Sequence, residues 1–281
     1  MASGRRGGCA FPILLALFIG AVLTFDGGRD APDVEVRRPA IPEAGANGEI
    51  PVVPPSEMAP QYGIEDPGPP RDSQGTAFAI ARNGLWLTAE HVVNGCNLIG
   101  LATAPDRAER VDRVVASAVS DAAIIADGLP SGVALPLARE IPRRGDDGYH
   151  MGFPAGRPAV IHSRFIGEAN AVRAGGTAQP ILAWAEVDRM PEFDHTLGGI
   201  SGGPTLDRFG RVVGINSASS DRRGRVLTTH PAQAINLVRA SRAAAEPDPV
   251  TPITDNGAAV SRFVSLVRAG AIRQVFCEVT G

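Results

Sequence analysis

An all-β fold of barrel or sandwich type is what this chain predicts, on three observations. Short β-like runs recur between Gly75 and about Asp221: Thr76 to Ala81, Leu85 to Thr88, Val111 to Val119, Tyr149 to Phe153, Ala159 to Ile166, Ile181 to Val187 and Arg211 to Ser217. Gly, Pro, Asn and Asp turns separate them, beginning with Asn83-Gly84, a pair that suits the positive φ angles of a tight hairpin. Many short strands with regular turn signals are the signature of closed or stacked antiparallel sheets. Helical spacing follows, at Pro231 to Ala240 and Ala258 to Ala269, and Ile272 to Val279 reads as one further strand.

The 281 residues can bury one large core or two small ones, and 44% hydrophobic with 20% charged residues is ordinary for a globular protein. A formal net charge of -3 argues against nucleic acid as a partner. No His, Cys, Asp or Glu cluster has the spacing of metal ligands, so neither metal nor cofactor is expected.

Arg5 and Arg6 precede a largely apolar run from Cys9 to Phe25, closed by Asp26. That length suits a signal peptide or a short anchor. No clear Ala-x-Ala site follows, which favours an uncleaved membrane anchor over residues 1–25. The N-terminal arginines place the rest of the chain outside the cytoplasm. Residues 26–73 are rich in Pro, Gly, Asp and Glu without apolar periodicity and read as a linker, with an irregular packed arm at Ile50 to Val53 as the alternative.

Chemistry concentrates at Gly199-Ile200-Ser201-Gly202-Gly203-Pro204. Glycines around one serine allow a strained backbone to present a hydroxyl, and serine becomes a nucleophile only with a base and an orienting carboxylate. Of the five histidines, His91 alone follows a strand directly, after the small pair Thr88-Ala89.

Thr88-Ala89-Glu90-His91-Val92-Val93, together with Gly199 to Pro204, resembles trypsin-like serine peptidases, and the bacterial HtrA-like branch most closely. The resemblance covers roughly residues 75–242 and takes in the Met151 to Gly156 stretch and the Gly210 to Asn216 hairpin. It implies two six-stranded antiparallel barrels with a cleft between them, followed by a closing helix. His91 is then the general base and Ser201 the nucleophile. The carboxylate falls between them before an apolar strand, which selects Asp121 ahead of Ala122 to Ala126. Asp112, within a strand, and Asp127, at a turn, are its rivals. The backbone N–H groups of Gly199 and Ser201 become the oxyanion donors.

The resemblance also places His195 at the base of the pocket for the residue before the scissile bond, and Asn216, Ser217 and Ala218 along the bound substrate. Ile200 departs from the acidic or amide residue more familiar there, which argues against zymogen activation by a new N-terminus. The expected organisation is a leader at 1–25, a linker at 26–73, a peptidase domain at 74–245 and an extension at 246–281. The 36 residues after Ala245 are too few for a PDZ domain. An extracytoplasmic location permits a disulfide between Cys96 and Cys277.

The expected function is serine endopeptidase action on a protein or peptide. Two alternatives stand beside it. One is a catalytically silent, membrane-tethered binding module on the same fold. The other is an esterase of the α/β-hydrolase type, since Gly-x-Ser-x-Gly is also that fold's elbow. The esterase needs acid and histidine after the serine, as Asp221 and His230 are, yet little chain remains for its sheet.

Overall fold

The computed structural model describes residues 24–26, 34–37, 59–64, 69–173, 178–220 and 224–280. The expected leader, but for its last two residues, lies outside the described residues, as do Ile50 to Val53 and Asp221. Among the described residues no helix is long and apolar enough to cross a membrane.

Three short strands precede the main sheets: β1 (Thr24–Asp26), across the boundary of the expected leader and linker, and β2 (Glu35–Arg37) and β3 (Gln61–Ile64) within the linker. The first sheet is built on β4 (Ser73–Ala81), β5 (Leu85–Thr88), β6 (Leu98–Ala104), β7 (Arg107–Val111), β8 (Arg113–Ala116) and β9 (Ala123–Ile125). A four-residue helix α1 (Glu90–Val93) follows β5. The second sheet uses β10 (Asp147–Gly152), β11 (Ala159–Arg173), β12 (Gln179–Met190), β13 (Pro204–Leu206), β14 (Val212–Ser220) and β15 (Arg225–Thr229). Helices α2 (Pro231–Ala240) and α3 (Asn256–Arg268) and strand β16 (Ile272–Glu278) complete the chain.

The second sheet closes on itself. Its order is β10-β13-β14-β15-β12-β11, and β11 pairs back onto β10, which makes a six-stranded barrel with β3 added outside in parallel. The first sheet runs β1-β7-β6-β16-β4-β5-β9-β8-β2 and, among the described residues, is not closed by hydrogen bonds. The expected strand from Val111 to Val119 is broken at Asp112, whose N–H donates to Asp127: Val111 ends β7, and β8 takes only Arg113–Ala116. Asp127 also accepts from the N–H of Arg113. Each half of the broken run pairs with a different neighbour, β6 or β9. The uniform expectation of two six-stranded barrels is therefore met by one closed barrel and one open sheet.

Both flanks of the chain are laid onto these sheets. Among the described parts of the linker, β2 pairs with β8 and β3 with β11, each in parallel, so the stretch does not stand clear of the domain. The C-terminal piece is more deeply involved. β16 sits between β4 and β6, antiparallel to both, with Val275 opposite Gly75 on one side and Leu101 on the other. Strand β16 thus completes the first sheet from within. Helix α2 ends at Ala240, where the helical spacing places its end, and Arg242 just beyond takes a left-handed φ of 55°.

One core runs under the first sheet and α3, through Phe78, Ile80, Trp86, Ile99, Phe263 and Leu266. A second fills the barrel with Ile161, Phe165, Leu182, Trp184, Ile200 and Val213. A disulfide joins Cys96 to Cys277 across 181 residues of sequence, tying β16 to the turn that follows α1. In the chain-entropy account a closure of that length contributes up to about 5 kcal/mol. Urea denaturation of Cys277→Ser beside the oxidised parent should show a loss of that order, and Cys96→Ser should match it.

Candidate active site

Strand β5 ends at Thr88, and Ala89, extended at φ -78° and ψ 146°, turns the chain into α1. His91 therefore leaves the sheet within one turn of its edge. Asp121 arrives from the loop before β9, where Ser117 accepts hydrogen bonds from the N–H groups of Val119 and Ser120. Bonds from Ser117 N–H to Ala122 and from Ala122 N–H to Ser120 hold that loop at both ends.

His91 Nδ1 lies 2.8 Å from Asp121 Oδ2 and 3.0 Å from Oδ1, and the His91 backbone N–H donates to Oδ1 at 3.0 Å. A carboxylate only accepts, so Nδ1 carries the proton and Nε2 is left as the basic nitrogen. Burial acts to raise the Asp121 carboxyl; the His91 charge, the His91 ring and backbone bonds and the Ser217 hydroxyl outweigh it and bring the value down to about 2. The His91 side chain keeps 25% exposure against 6% for Asp121, which leaves the base reachable and its partner sealed.

The serine loop docks onto the first sheet through Thr76. Thr76 N–H donates to the Ser201 carbonyl at 2.8 Å, and its hydroxyl donates to the Gly199 carbonyl at 2.8 Å. Gly202, at φ +86°, is pressed so close that an added Cβ would lie 2.1 Å from Thr76 O and 2.3 Å from Thr88 Oγ1. No other residue fits there. Since Thr88 precedes Ala89 and α1, this contact sets Ser201 beside the element that carries His91.

Ser217 completes the junction. It is the unpaired residue of a bulge in β14, between the pairs Asn216–Thr228 and Ala218–Leu227, and a bulge re-aims the side chain it carries. Its hydroxyl donates to Asp121 Oδ2, and its carbonyl accepts from the Ser201 hydroxyl at 3.4 Å. Ser201, Ser217, Asp121 and His91 are thereby brought into one cluster.

Two peptides of the loop have fixed orientations. The Gly198 carbonyl accepts from Ala155 N–H at 2.7 Å, and the Ile200 carbonyl accepts from Gly203 N–H at 3.0 Å. In a trans peptide the N–H points opposite the C=O, so the N–H groups of Gly199 and Ser201 are turned away from these partners. Gly199 holds φ +102°, and a Cβ added there would lie only 2.5 Å from the Phe153 carbonyl. Ile200, 4% exposed, drops its side chain into the barrel core. Burial of that size stabilises by roughly 1.5–3 kcal/mol, so an apolar anchor holds the loop where an ionic contact is absent.

The other expected residues fall elsewhere. Asn216 is 1% exposed and faces the barrel interior, where Oδ1 lies 2.8 Å from His150 Nδ1; it is not at a surface a substrate can reach. Ala218 is half-buried against the cluster of Ala169, Ile181 and Leu227. His195 stays on a partly exposed loop, stacked on Phe193 at 4.2 Å, with Nδ1 2.9 Å from the Thr196 carbonyl. His230 caps α2, accepting from Ala232 N–H, which employs the histidine that the esterase alternative needs. Thr76 was not legible as a site residue, and the only signal for it was its place two strands back in the small, apolar run that begins at Gly75.

A histidine and a serine also meet at His150 and Ser163, 2.6 Å apart, but both are fully buried. No substrate reaches them. Among the described residues no group of three or more His, Cys, Asp or Glu could hold a metal ion.

A serine, a histidine and a buried aspartate are thus gathered where the serine loop of the second sheet meets the first. The family model for the trypsin-like peptidase domain matches residues 75–215, and the chain belongs to that family. It is 31% identical over 168 residues to a putative serine protease HhoA of Synechocystis, covering 56% of this chain and 41% of the relative. It is 27% identical over 202 residues to a probable periplasmic serine endoprotease, DegP-like, of Halomonas elongata, covering 68% of this chain and 40% of the relative. The chain thus spans about 40% of the length of these curated relatives. Among solved structures, the inactive form of the Rv3671c protease of M. tuberculosis aligns at 20% identity and a TM-score of 0.46, over 60% of this chain and 86% of that one.

Burial drives His150 down to about 4 from an ordinary 6.5, against the hydrogen bond to Asn216 that favours the charged form. The native state then binds fewer protons than the unfolded chain between those values. Its contribution is complete above about pH 6.5 and is lost as the pH falls toward 4, by roughly 3 kcal/mol. Equilibrium unfolding of the parent and of His150→Gln at pH 7 and pH 4.5 should show the steeper loss in the parent.

Proposed function

We propose that this chain is a serine endopeptidase that cleaves peptide bonds through Ser201, His91 and Asp121. The observation that carries the reading is the doubly bonded His91–Asp121 pair set beside a serine loop whose Gly199 and Ser201 N–H groups are turned away from the Ala155 and Gly203 N–H groups that hold their peptide carbonyls. Asp121 holds the His91 tautomer, His91 Nε2 takes the Ser201 proton, and the serine oxygen attacks the carbonyl carbon. The two N–H groups receive the charge on the tetrahedral oxygen. As the intermediate collapses the C–N bond breaks and His91 gives its proton to the leaving amine; the acyl-enzyme left on Ser201 is then hydrolysed by water activated at the same histidine.

We read the closed barrel and the open first sheet as the two barrels of the family fold, with the substrate between them. The substrate backbone pairs along Ser217 and Ala218 as an added strand, and His195 flanks the pocket of the residue before the scissile bond. An extracytoplasmic site of action, with residues 1–25 as anchor, is part of the same reading and agrees with the cystine at Cys96 and Cys277.

A fluorophosphonate probe tests the chemistry without knowledge of the substrate. The parent should label, Ser201→Ala should abolish labelling, and His91→Ala should slow it by about 10⁴-fold or more. Replacing His230 should leave the rate unchanged. Folded parent that takes no label over pH 5 to 9 sinks the enzyme and leaves the silent binding module. Gly199→Ala, which adds a Cβ where φ is +102° and the Phe153 carbonyl is 2.5 Å away, should cut the labelling rate by about 10²-fold, the scale of one lost oxyanion donor.

A further inference from the structure

Resting on the catalytic reading above, we infer that Asn216 is a positioning residue. From inside the barrel it clamps the Ile200–Ser201 peptide, and so sets the direction of the Ser201 N–H, through a chain of hydrogen bonds that ends at Ser163.

The amide orientation follows from its neighbours. Asn216 Nδ2 faces two carbonyls, Met151 and Ile200, each at 3.4 Å. Carbonyls only accept, so the NH₂ end must lie on that side. Oδ1 then faces the Thr205 hydroxyl at 2.7 Å and His150 Nδ1 at 2.8 Å. Both must donate to it, which puts the His150 proton on Nδ1. His150 Nε2 is left to accept from the Ser163 hydroxyl at 2.6 Å. His150, Ser163 and Thr205 are each 0% exposed, so no water competes for these bonds.

The consequence reaches the surface through one peptide. The Ile200 carbonyl is held by Asn216 Nδ2 and Gly203 N–H, and the Ser201 N–H belongs to the same planar unit. Asn216 also bonds Gly202 and Gly203 through its own backbone, with Gly202 N–H donating to its carbonyl and its N–H donating to the Gly203 carbonyl, both at 2.8 Å. Every peptide flanking Ser201 on its C-terminal side is therefore referred to this one residue. The two short bonds at Oδ1 fix the side chain so that the two longer ones at Nδ2 keep their direction. Asn216 touches no reacting atom; it acts through the loop.

Acylation by p-nitrophenyl acetate, a probe that demands no peptide sequence, separates binding from chemistry. Asn216→Leu keeps the shape and removes all four side-chain bonds, whereas Thr205→Val removes one bond to Oδ1 together with the 2.8 Å contact of the same hydroxyl to His150 Nδ1. The saturating acylation rate should fall about 10- to 100-fold in Asn216→Leu and less in Thr205→Val, below the ~10²–10³ of a lost oxyanion donor. The apparent binding constant should stay within about two-fold, since a donor aimed at the transition state affects chemistry and not ground-state binding. In the double variant Thr205→Val should add nothing, because its effect passes through Asn216. A merely structural role would lower the folded fraction, read by tryptophan emission, and leave the rate per active site intact.

An undiminished rate in folded Asn216→Leu overturns the inference, as does additivity in the double variant. If Asn216→Leu does not fold, Thr205→Val decides alone: a slower acylation at constant binding supports the role, and an unchanged rate overturns it. A parent that is neither acylated nor labelled by fluorophosphonate overturns the catalytic reading and this inference with it. A reactive parent with equally reactive variants overturns the positioning role only.

Discussion

The close approach of Gly202 to Thr76 and Thr88 is the constraint on which the rest of the site depends. Two sheets from different parts of the chain must present a serine and a histidine to one point. Covalent connection between them is too long to do this. Instead Thr76 uses its N–H and its hydroxyl on two carbonyls of the serine loop, those of Ser201 and Gly199. Any side chain at position 202 would force the loop off by more than an ångström, given a Cβ contact of 2.1 Å with backbone. Geometry of this kind tolerates little error, since misplacement of reacting groups by about 1 Å can cost 10²-fold in rate.

Around that contact the charges are arranged with opposite degrees of exposure. Asp121 is buried, yet bonds from His91 and Ser217 and the charge of His91 keep its carboxyl well below its ordinary range. A buried carboxylate without such partners would take up a proton instead. Ser217 therefore has two tasks that meet at one residue: its hydroxyl steadies the carboxylate and its carbonyl lies next to Ser201. Only a bulge in β14 permits this, because a regular strand would point Ser217 along the pleat with its neighbours.

Much of the arrangement is legible in the sequence, for definable reasons. Strand β5 and helix α2 have the bounds that apolar alternation and helical spacing assign, and β4, β10 and α3 differ by a few residues at their ends. The Gly-rich loop announces itself because strained backbone needs glycine, whatever the fold around it. What escapes is what depends on tertiary pairing. The division of β7 from β8 at Asp112 follows from Asp127 fifteen residues later, and periodicity in a short window cannot register that. Asn216 reads as a substrate contact from its place in a family pattern, while its burial follows from His150 and Thr205 lying across the barrel. Thr76 has no local mark at all; its importance is created by a loop 123 residues away.

The C-terminal segment shows how far the site extends beyond its motifs. β16 lies against β4, the strand that carries Thr76, and pairs Gln274 directly with Thr76. Its cystine fixes the turn after α1, three residues beyond Val93. Helix α3 sets Phe263 against Phe153 at 5.8 Å between ring centroids, and the Phe153 carbonyl limits Gly199 while the nearby Ala155 N–H holds Gly198. One segment therefore braces the threonine that docks the loop, the helix that bears His91 and the backbone behind Gly199. These contacts bury apolar groups and pair backbone rather than touch a substrate, so the segment belongs to the rigid frame that a preorganised site requires. The sequence assigns the helix and the strand of this segment but not their place, because a single strand carries no record of which two strands it will separate.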